Sequence, residues 1–183
     1  MGLTGGMGAG KSEALRALER LGAATLSTDA VVHELLATDE VRDAVVGKFG
    51  ESVVRDGALD RGLIAERVFG DEEARKALEA ELWPRVGARV AAFREEGEGR
   101  ALVVEVPLLF EAGMQTVFDK TVAVIADGDV RAARVGERDH ESREGIQLSQ
   151  QEKAELADFV IRNDGTIQEL EQKLSEVLAT MTT

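Results

Sequence analysis

Short apolar runs alternate along the chain with longer stretches whose apolar residues recur every three or four positions, the pattern of a parallel sheet wrapped by helices. The runs predict strands over 1–4, 23–26, 101–106, 121–126 and 159–161. Those at 101–106 and 121–126 are rich in valine and apolar on both faces, as buried parallel strands are. The period-3.6 pattern predicts helices over 11–21, with Leu15, Leu18 and Leu21 on one stripe, and over 167–178, with Ile167, Leu170, Leu174 and Leu178. Both stripes are expected to face the sheet. The stretch 34–99 is mostly helical with no convincing central strand and reads as an insertion between the second and third strands, suited to a substrate-binding flap. Pro84 interrupts its longest pattern, 71–94. It removes a backbone donor and crowds the preceding turn, so a kink or break is expected near Trp83. Residues 94–100, rich in Glu and Gly, form the loosest expected turn. No repeat, linker or low-complexity tract is visible, so 1–183 reads as one domain: a core of 1–33 and 100–183, the insertion 34–99, and a lid over about 129–153.

Composition narrows the chemistry. The 183 residues contain no cysteine, which excludes disulfides, thiolate metal sites and thiol nucleophiles and fits a reducing cytoplasm. No apolar run approaches the ~20 residues that span a bilayer, and no signal-peptide pattern opens the chain, so no membrane partner is expected. Thirty-five acidic against 22 basic residues give a formal charge of −13, which argues against general nucleic-acid binding. An anionic ligand must therefore meet locally positive groups. Sixteen of the 22 basic residues are arginine, whose planar fork suits bidentate phosphate contacts.

Such groups stand near the start of the chain. Gly5-Gly6-Met7-Gly8-Ala9-Gly10-Lys11-Ser12 satisfies G-x-x-x-x-G-K-[ST], follows a strand-like stub and opens an amphipathic helix, the context this phosphate-binding motif requires. Glycines let the backbone curl so that successive N–H groups point at phosphate oxygens, and the helix N-terminus adds positive potential. Gly6, Gly8, Ala9 and Gly10 are thus the expected cradle of a bound nucleotide. Lys11 is expected on the β- and γ-phosphates of the nucleotide and Ser12 on Mg²⁺. The loop alone leaves GTPase, ATPase motor and small-molecule kinase open. A guanine-reading Asn-Lys-x-Asp and an Asp-x-x-Gly switch are both absent, and motors of this class are usually larger. A small kinase needs an acceptor pocket, a base and a cationic lid.

Five segments then resemble the dephospho-coenzyme A kinase family, in its order and over nearly the whole chain. They are 2–12; Ser27-Thr28-Asp29, where the family has Asp-Ala-Asp; Trp83-Pro84, where it commonly has His-Pro; Val106-Pro107-Leu108-Leu109-Phe110-Glu111, the most specific; and 147–153 followed by 157–165. The resemblance implies a P-loop kinase fold of α/β class: a five-stranded parallel sheet flanked by helices, with a helical acceptor-binding insertion and a lid. It implies phosphoryl transfer from ATP, with Mg²⁺, to the ribose 3′-hydroxyl of dephospho-coenzyme A. The chain is expected to be cytoplasmic and a monomer or small homo-oligomer.

Residue by residue, Asp29 lies just past the second strand, at the carboxyl edge where open α/β sheets bind ligands. A carboxylate there can accept a proton from the acceptor hydroxyl, and the resemblance assigns it the base role. The alternative is an N-cap for a helix beginning near Ala30. Ser27 and Trp83 depart from the family pattern. Glu105 ends the third strand, where phosphate-loop enzymes often hold magnesium's waters. The resemblance sets Pro107, Leu108, Leu109 and Glu111 against the acceptor; ordinary core packing is the alternative for Leu108, Leu109 and Phe110. Arg131, Arg134 and Arg138 recur at spacings of three and four and share one helix face. The resemblance favours Arg134 and Arg138 as lid cations over the triphosphate, with Arg131 standing where the family often has Gln and Arg143 a weaker candidate. Asn163, in an Asn-Asp-Gly turn, is implied as a nucleotide-base contact, and His33 remains a candidate acceptor contact. His33 and His140 have no partner at metal-ligand spacing. Two rival readings stand: another small-molecule kinase, of nucleoside-monophosphate, shikimate or gluconate type, and a nucleotide-binding module without catalysis.

Overall fold

The computed structural model describes residues 1–97, 100–135 and 147–181. Its elements fall into two units, Met1–Ser27 with Glu96–Thr183, and Thr28–Glu95.

The first unit opens with β1 (Gly2–Gly5), a four-residue strand that leads into the glycine loop and then α1 (Lys11–Arg20). β2 (Ala24–Ser27) follows, and after the second unit come β5 (Leu102–Glu105), β6 (Thr121–Ile125), α6 (Gly128–Val135), α7 (Gln150–Leu156), β7 (Phe159–Arg162) and α8 (Ile167–Met181). The strands form one parallel sheet in the order β2-β5-β1-β6-β7. The five expected strands and the flanking helices are thus present.

Position in the sheet explains the composition of its strands. β1 lies between β5 and β6, so even a short strand is paired on both sides, and every residue of β1 and β6 is buried. Because side chains alternate, Leu3, Val103, Val122, Val124 and Ile161 meet one layer. That layer is built by Ala14, Ala17 and Leu18 of α1 and Leu170, Leu174 and Val177 of α8. Each leucine, isoleucine or valine of this layer contributes about 1.5–3 kcal/mol when fully removed from water, the alanines less. The predicted stripes hold along Leu15 and Leu18 and along Leu170, Leu174 and Leu178, and each loses one end. Leu21 is exposed because α1 ends at Arg20, and Ile167 is exposed at the first position of α8.

The second unit contains α2 (Thr28–Leu36), α3 (Asp39–Phe49), a hairpin of β3 (Val54–Arg55) and β4 (Ala58–Leu59), α4 (Arg61–Val68) and α5 (Glu72–Glu96). Val41, Val45, Val53 and Ile64 make its core. The Thr38 hydroxyl and the Asp60 carboxylate accept the first-turn N–H groups of Val41 and Leu63. Two features differ from expectation. The hairpin turns on Asp56 and Gly57, with φ of 53° and 80°, the paired positive values of a two-residue type I′ turn. α5 also runs through Pro84 without a break. The proline withholds its own N–H from the Ala80 carbonyl; one residue on, the Arg85 guanidinium donates to the Glu81 carbonyl at 2.8 Å and to the Glu81 carboxylate at 2.6 Å.

Candidate active site

The phosphate loop begins where β1 ends. Gly10 takes φ +94°, a left-handed conformation that lets the chain turn directly into α1. Among the described residues no side chain caps α1, so its first N–H groups keep their capacity for an anion. The Ala9 N–H donates to the Gly6 carbonyl at 3.2 Å and closes the curl. Lys11 folds back along it, its Nζ 3.1 Å from the carbonyl oxygens of both Gly5 and Gly6. Ser12, next on the helix, is exposed.

Three later segments reach this loop. From α6, Arg131 Nε donates to the Met7 carbonyl at 2.8 Å, and Arg134 Nη1 to the Ala9 carbonyl at 3.4 Å. Two members of the predicted arginine stripe therefore meet at the loop, including the one at which the chain departs from its family pattern. Arg138, Arg143 and His140 lie outside the described residues. Beyond β7, the buried Asn163 donates its carboxamide N–H to the Ala9 carbonyl at 2.9 Å. Its neighbour Asp164 accepts the Asp127 N–H at 2.6 Å, and Arg162 bridges the carboxylates of Asp127 and Asp164 at 2.5 and 3.2 Å. The backbone N–H of Asp127, with Arg162 beside it, holds the Asp164 carboxyl below the usual carboxylate range. From α7, Gln150 makes two bonds with Ala126 and lies against Gly6.

Glu105 closes β5, buried, in register with Leu3 of β1 and Ser27 of β2. In the following loop the Pro107 carbonyl accepts from the Thr4 hydroxyl at 3.2 Å and from Lys153 Nζ at 2.6 Å. Glu111 Oε1 accepts the Leu148 N–H at 2.9 Å and pairs with Lys153 Nζ at 3.0 Å. Pro107, Leu108 and Glu111 are half-buried. Leu109, expected against the acceptor, is fully buried, and a Cβ on Gly2 would stand 2.5 Å from its Cδ1. Its side chain supports the loop from beneath, because a leucine that deep fills the space a glycine leaves in β1.

In the second unit, Asp29 and His33 stand one turn apart on α2, and both are exposed. α2 begins at Thr28, not near Ala30, so Asp29 is a first-turn residue and not the N-cap. Among the described residues no group of three or more His, Cys, Asp or Glu is placed to hold a metal ion. The oxygens of Ser12 and Glu105 suit magnesium, a hard cation that keeps several waters and takes few protein ligands.

Sequence reasoning missed Thr4, Gln150 and Lys153 as individuals, although 147–153 lies in a segment that carries the resemblance. Their partners are remote in sequence, and nothing local marks them.

A sequence model of the dephospho-CoA kinase family matches residues 1–169. Dephospho-CoA kinases of Protochlamydia amoebophila and Symbiobacterium thermophilum are 35% and 39% identical to this chain, covering 96% and 91% of it and 92% and 74% of their own lengths. A solved structure from Thermus thermophilus superposes with a TM-score of 0.84 at 34% identity, over 100% of this chain and 97% of its own. The dephospho-CoA kinase of Campylobacter jejuni gives 0.71 at 25% identity, over 98% and 95%. A shikimate kinase from Acinetobacter baumannii, 18% identical with a TM-score of 0.53 over 98% of this chain and 92% of its own, shares the fold. The family match spans residues 1–169 and is repeated by relatives above 30% identity: the chain belongs to the dephospho-CoA kinase family.

Proposed function

We propose that this chain is an ATP-dependent kinase that moves the γ-phosphate of ATP to the ribose 3′-hydroxyl of dephospho-coenzyme A, the last step of coenzyme A biosynthesis. The observation that carries the reading is the Pro107 carbonyl. It ties the loop of 107–111, the segment most specific to the family resemblance, to Thr4, the residue that leads into the phosphate loop. A phosphate loop serves many acceptors, whereas that second loop argues for this one.

The phosphate-loop N–H groups hold the triphosphate. Lys11 exchanges the carbonyls of Gly5 and Gly6 for phosphate oxygens, a stronger, charge-assisted contact. Arg134 and Arg138 offset the charge that spreads over the transferring group, and Arg131 meets the same loop as Arg134. Ser12 and Glu105 hold magnesium, which supplies further neutralisation of the phosphates when bound. Asn163 serves the nucleotide side, Pro107, Leu108 and Glu111 the acceptor side, and the insertion over 34–99 takes part in holding the acceptor. Asp29, two residues past the carboxyl end of β2, accepts the proton of the 3′-hydroxyl as the oxygen attacks, and His33 is a further acceptor contact. No helix among the described residues is long and apolar enough to cross a membrane, and the absence of cysteine fits work in the cytoplasm. The working form is a monomer or small homo-oligomer.

The test is turnover of ATP and magnesium with dephospho-coenzyme A, beside parallel assays with shikimate, gluconate and nucleoside monophosphates. Phosphorylation of dephospho-coenzyme A at the 3′-position supports the proposal. Preferential turnover of another acceptor overturns it, and no turnover with any acceptor favours a nucleotide-binding module.

A further inference from the structure

α7 carries two side chains, three positions apart, that reach different parts of the site. Gln150 uses both ends of its carboxamide on Ala126, donating to the carbonyl at 2.8 Å and accepting from the N–H at 3.1 Å. A Cβ on Gly6 would stand 3.2 Å from the Cβ of Gln150, so this side chain also backs the phosphate loop. Lys153 is fully buried, and its Nζ reaches the Pro107 carbonyl at 2.6 Å and the Glu111 carboxylate at 3.0 Å. The same Pro107 carbonyl receives the Thr4 hydroxyl. One oxygen atom thus joins the entry to the phosphate loop, the loop after β5 and α7.

A buried ammonium is a poor device for stability alone, since its desolvation offsets much of the attraction to its partner, and an apolar pair of equal volume often serves as well. What it does well is fix positions. Glu111 is gripped through Oε1 by Lys153 and by the Leu148 N–H, while Oε2 is buried with no hydrogen-bond partner among the described residues. The carboxylate is therefore placed from one side, and Lys153 does much of the placing.

We infer that Lys153 is a positioning residue for the acceptor: it sets the Pro107 carbonyl and the Glu111 carboxylate at a fixed distance from the phosphate loop, so that the acceptor hydroxyl meets the γ-phosphate in line. This rests on the proposed function, which supplies the acceptor.

The experiment uses the full chain and three variants: Lys153→Met, which keeps the stem without the charge; Glu111→Gln, which keeps the shape; and Lys153→Met combined with Glu111→Leu, which removes both charges. Initial rates are measured against dephospho-coenzyme A and against ATP, with the Kd of a non-hydrolysable ATP analogue and the Tm of each protein. Lys153→Met is expected to lower kcat/KM for dephospho-coenzyme A by about 10- to 100-fold, the scale of a misplacement of about 1 Å, with the analogue's Kd changed less than about threefold. Glu111→Gln is expected to act in the same direction and answers the question if Lys153→Met does not fold. The double variant regains Tm over Lys153→Met, because no uncompensated charge is left buried, yet keeps the kinetic defect. A pair that is merely structural behaves otherwise: restoring Tm restores kcat/KM, and that result overturns the inference. Failure of the wild-type chain to phosphorylate dephospho-coenzyme A overturns the proposed function, and the inference with it. Normal wild-type turnover with unimpaired variants overturns the inference alone.

Discussion

Asn163 and Ala9 stand 154 residues apart in sequence, and the carboxamide of the first donates to the carbonyl of the second at 2.9 Å. The bond shapes the phosphate loop at the residue next to Gly10. A Cβ on Gly10 would lie 2.2 Å from Asn163 Nδ2, and Gly10 already holds φ +94°. Gly10→Ala therefore meets two obstacles, a left-handed backbone that costs a residue with a Cβ about 1–2 kcal/mol and a displaced Asn163. A lower Tm and at least about tenfold weaker binding of an ATP analogue are expected, the latter because the loop N–H groups lose their convergence. Adding Asn163→Ala relieves the clash but leaves the backbone strain, so the double variant recovers only in part. Calorimetry and thermal unfolding on the three proteins check this. Wild-type affinity in Gly10→Ala means the loop adapts without cost.

Lys11 bonds the carbonyls of Gly5 and Gly6 through a side chain that is half-exposed, so its loss leaves no apolar cavity. Lys11→Ala is expected to keep the fold and Tm while phosphoryl transfer falls far below a tenth of wild type, the scale of a lost charge contact to the transferring group. Retention of more than a tenth of wild-type kcat removes the phosphate loop from the mechanism.

Asp158 offers a prediction about pH. The hydroxyl of Thr121, then its backbone N–H, with Lys120 adding attraction, hold the Asp158 carboxyl below the usual carboxylate range. The folded protein therefore binds this proton less readily than the unfolded chain, whose aspartates titrate near ~3.9. Its contribution to stability is present above about pH 4 and is lost as pH falls through the folded value. Asp158→Asn is expected to lower Tm at pH 6, and its difference from wild type is expected to narrow towards pH 3. A difference that stays constant over that range would falsify the linkage.

How much of this was legible depends on how far each signal reaches along the chain. The valine runs of β5 and β6 and the spacing of Leu170 and Leu174 are local, and they locate the sheet and α8 directly. Gly10, Lys11 and Ser12 sit in a motif whose chemistry is likewise contained in eight residues. The hairpin at Asp56-Gly57 was signalled by that dipeptide, but two-residue strands carry no alternation to support it. Lys153 was beyond reach for a different reason. A lysine on a short polar helix reads as solvated, and only the folded chain shows that it bonds a carbonyl 46 residues earlier. Leu109 shows the reverse: it stands in the segment most specific to the acceptor loop, yet its side chain is core. Pro84 shows a local signal overruled: the proline predicts a kink or break near Trp83, yet α5 continues from Glu72 to Glu96.

Asp29→Asn is the most informative substitution, because it retains size and polarity while deleting charge and basicity. The side chain is exposed in the first turn of α2, where a negative charge is favoured by the helix dipole by only about 0.3–1 kcal/mol. The change is therefore expected to lower Tm slightly or not at all. It is not a capping loss, since α2 starts at Thr28 and Asp29 lies inside the helix. If Asp29 takes the proton of the 3′-hydroxyl, kcat falls by roughly 10²- to 10⁴-fold, the range of general-base catalysis. ATP affinity is expected to stay near wild type, because the proposed triphosphate contacts are the loop and Lys11. The two measurements thus separate cleanly: a role in helix stability moves Tm and spares the rate, whereas a role in proton transfer moves the rate and spares Tm. Turnover and melting are read on the same purified variant. Unimpaired kcat with an intact fold places the base elsewhere, and Glu105, buried at the end of β5, is then the carboxylate to replace next.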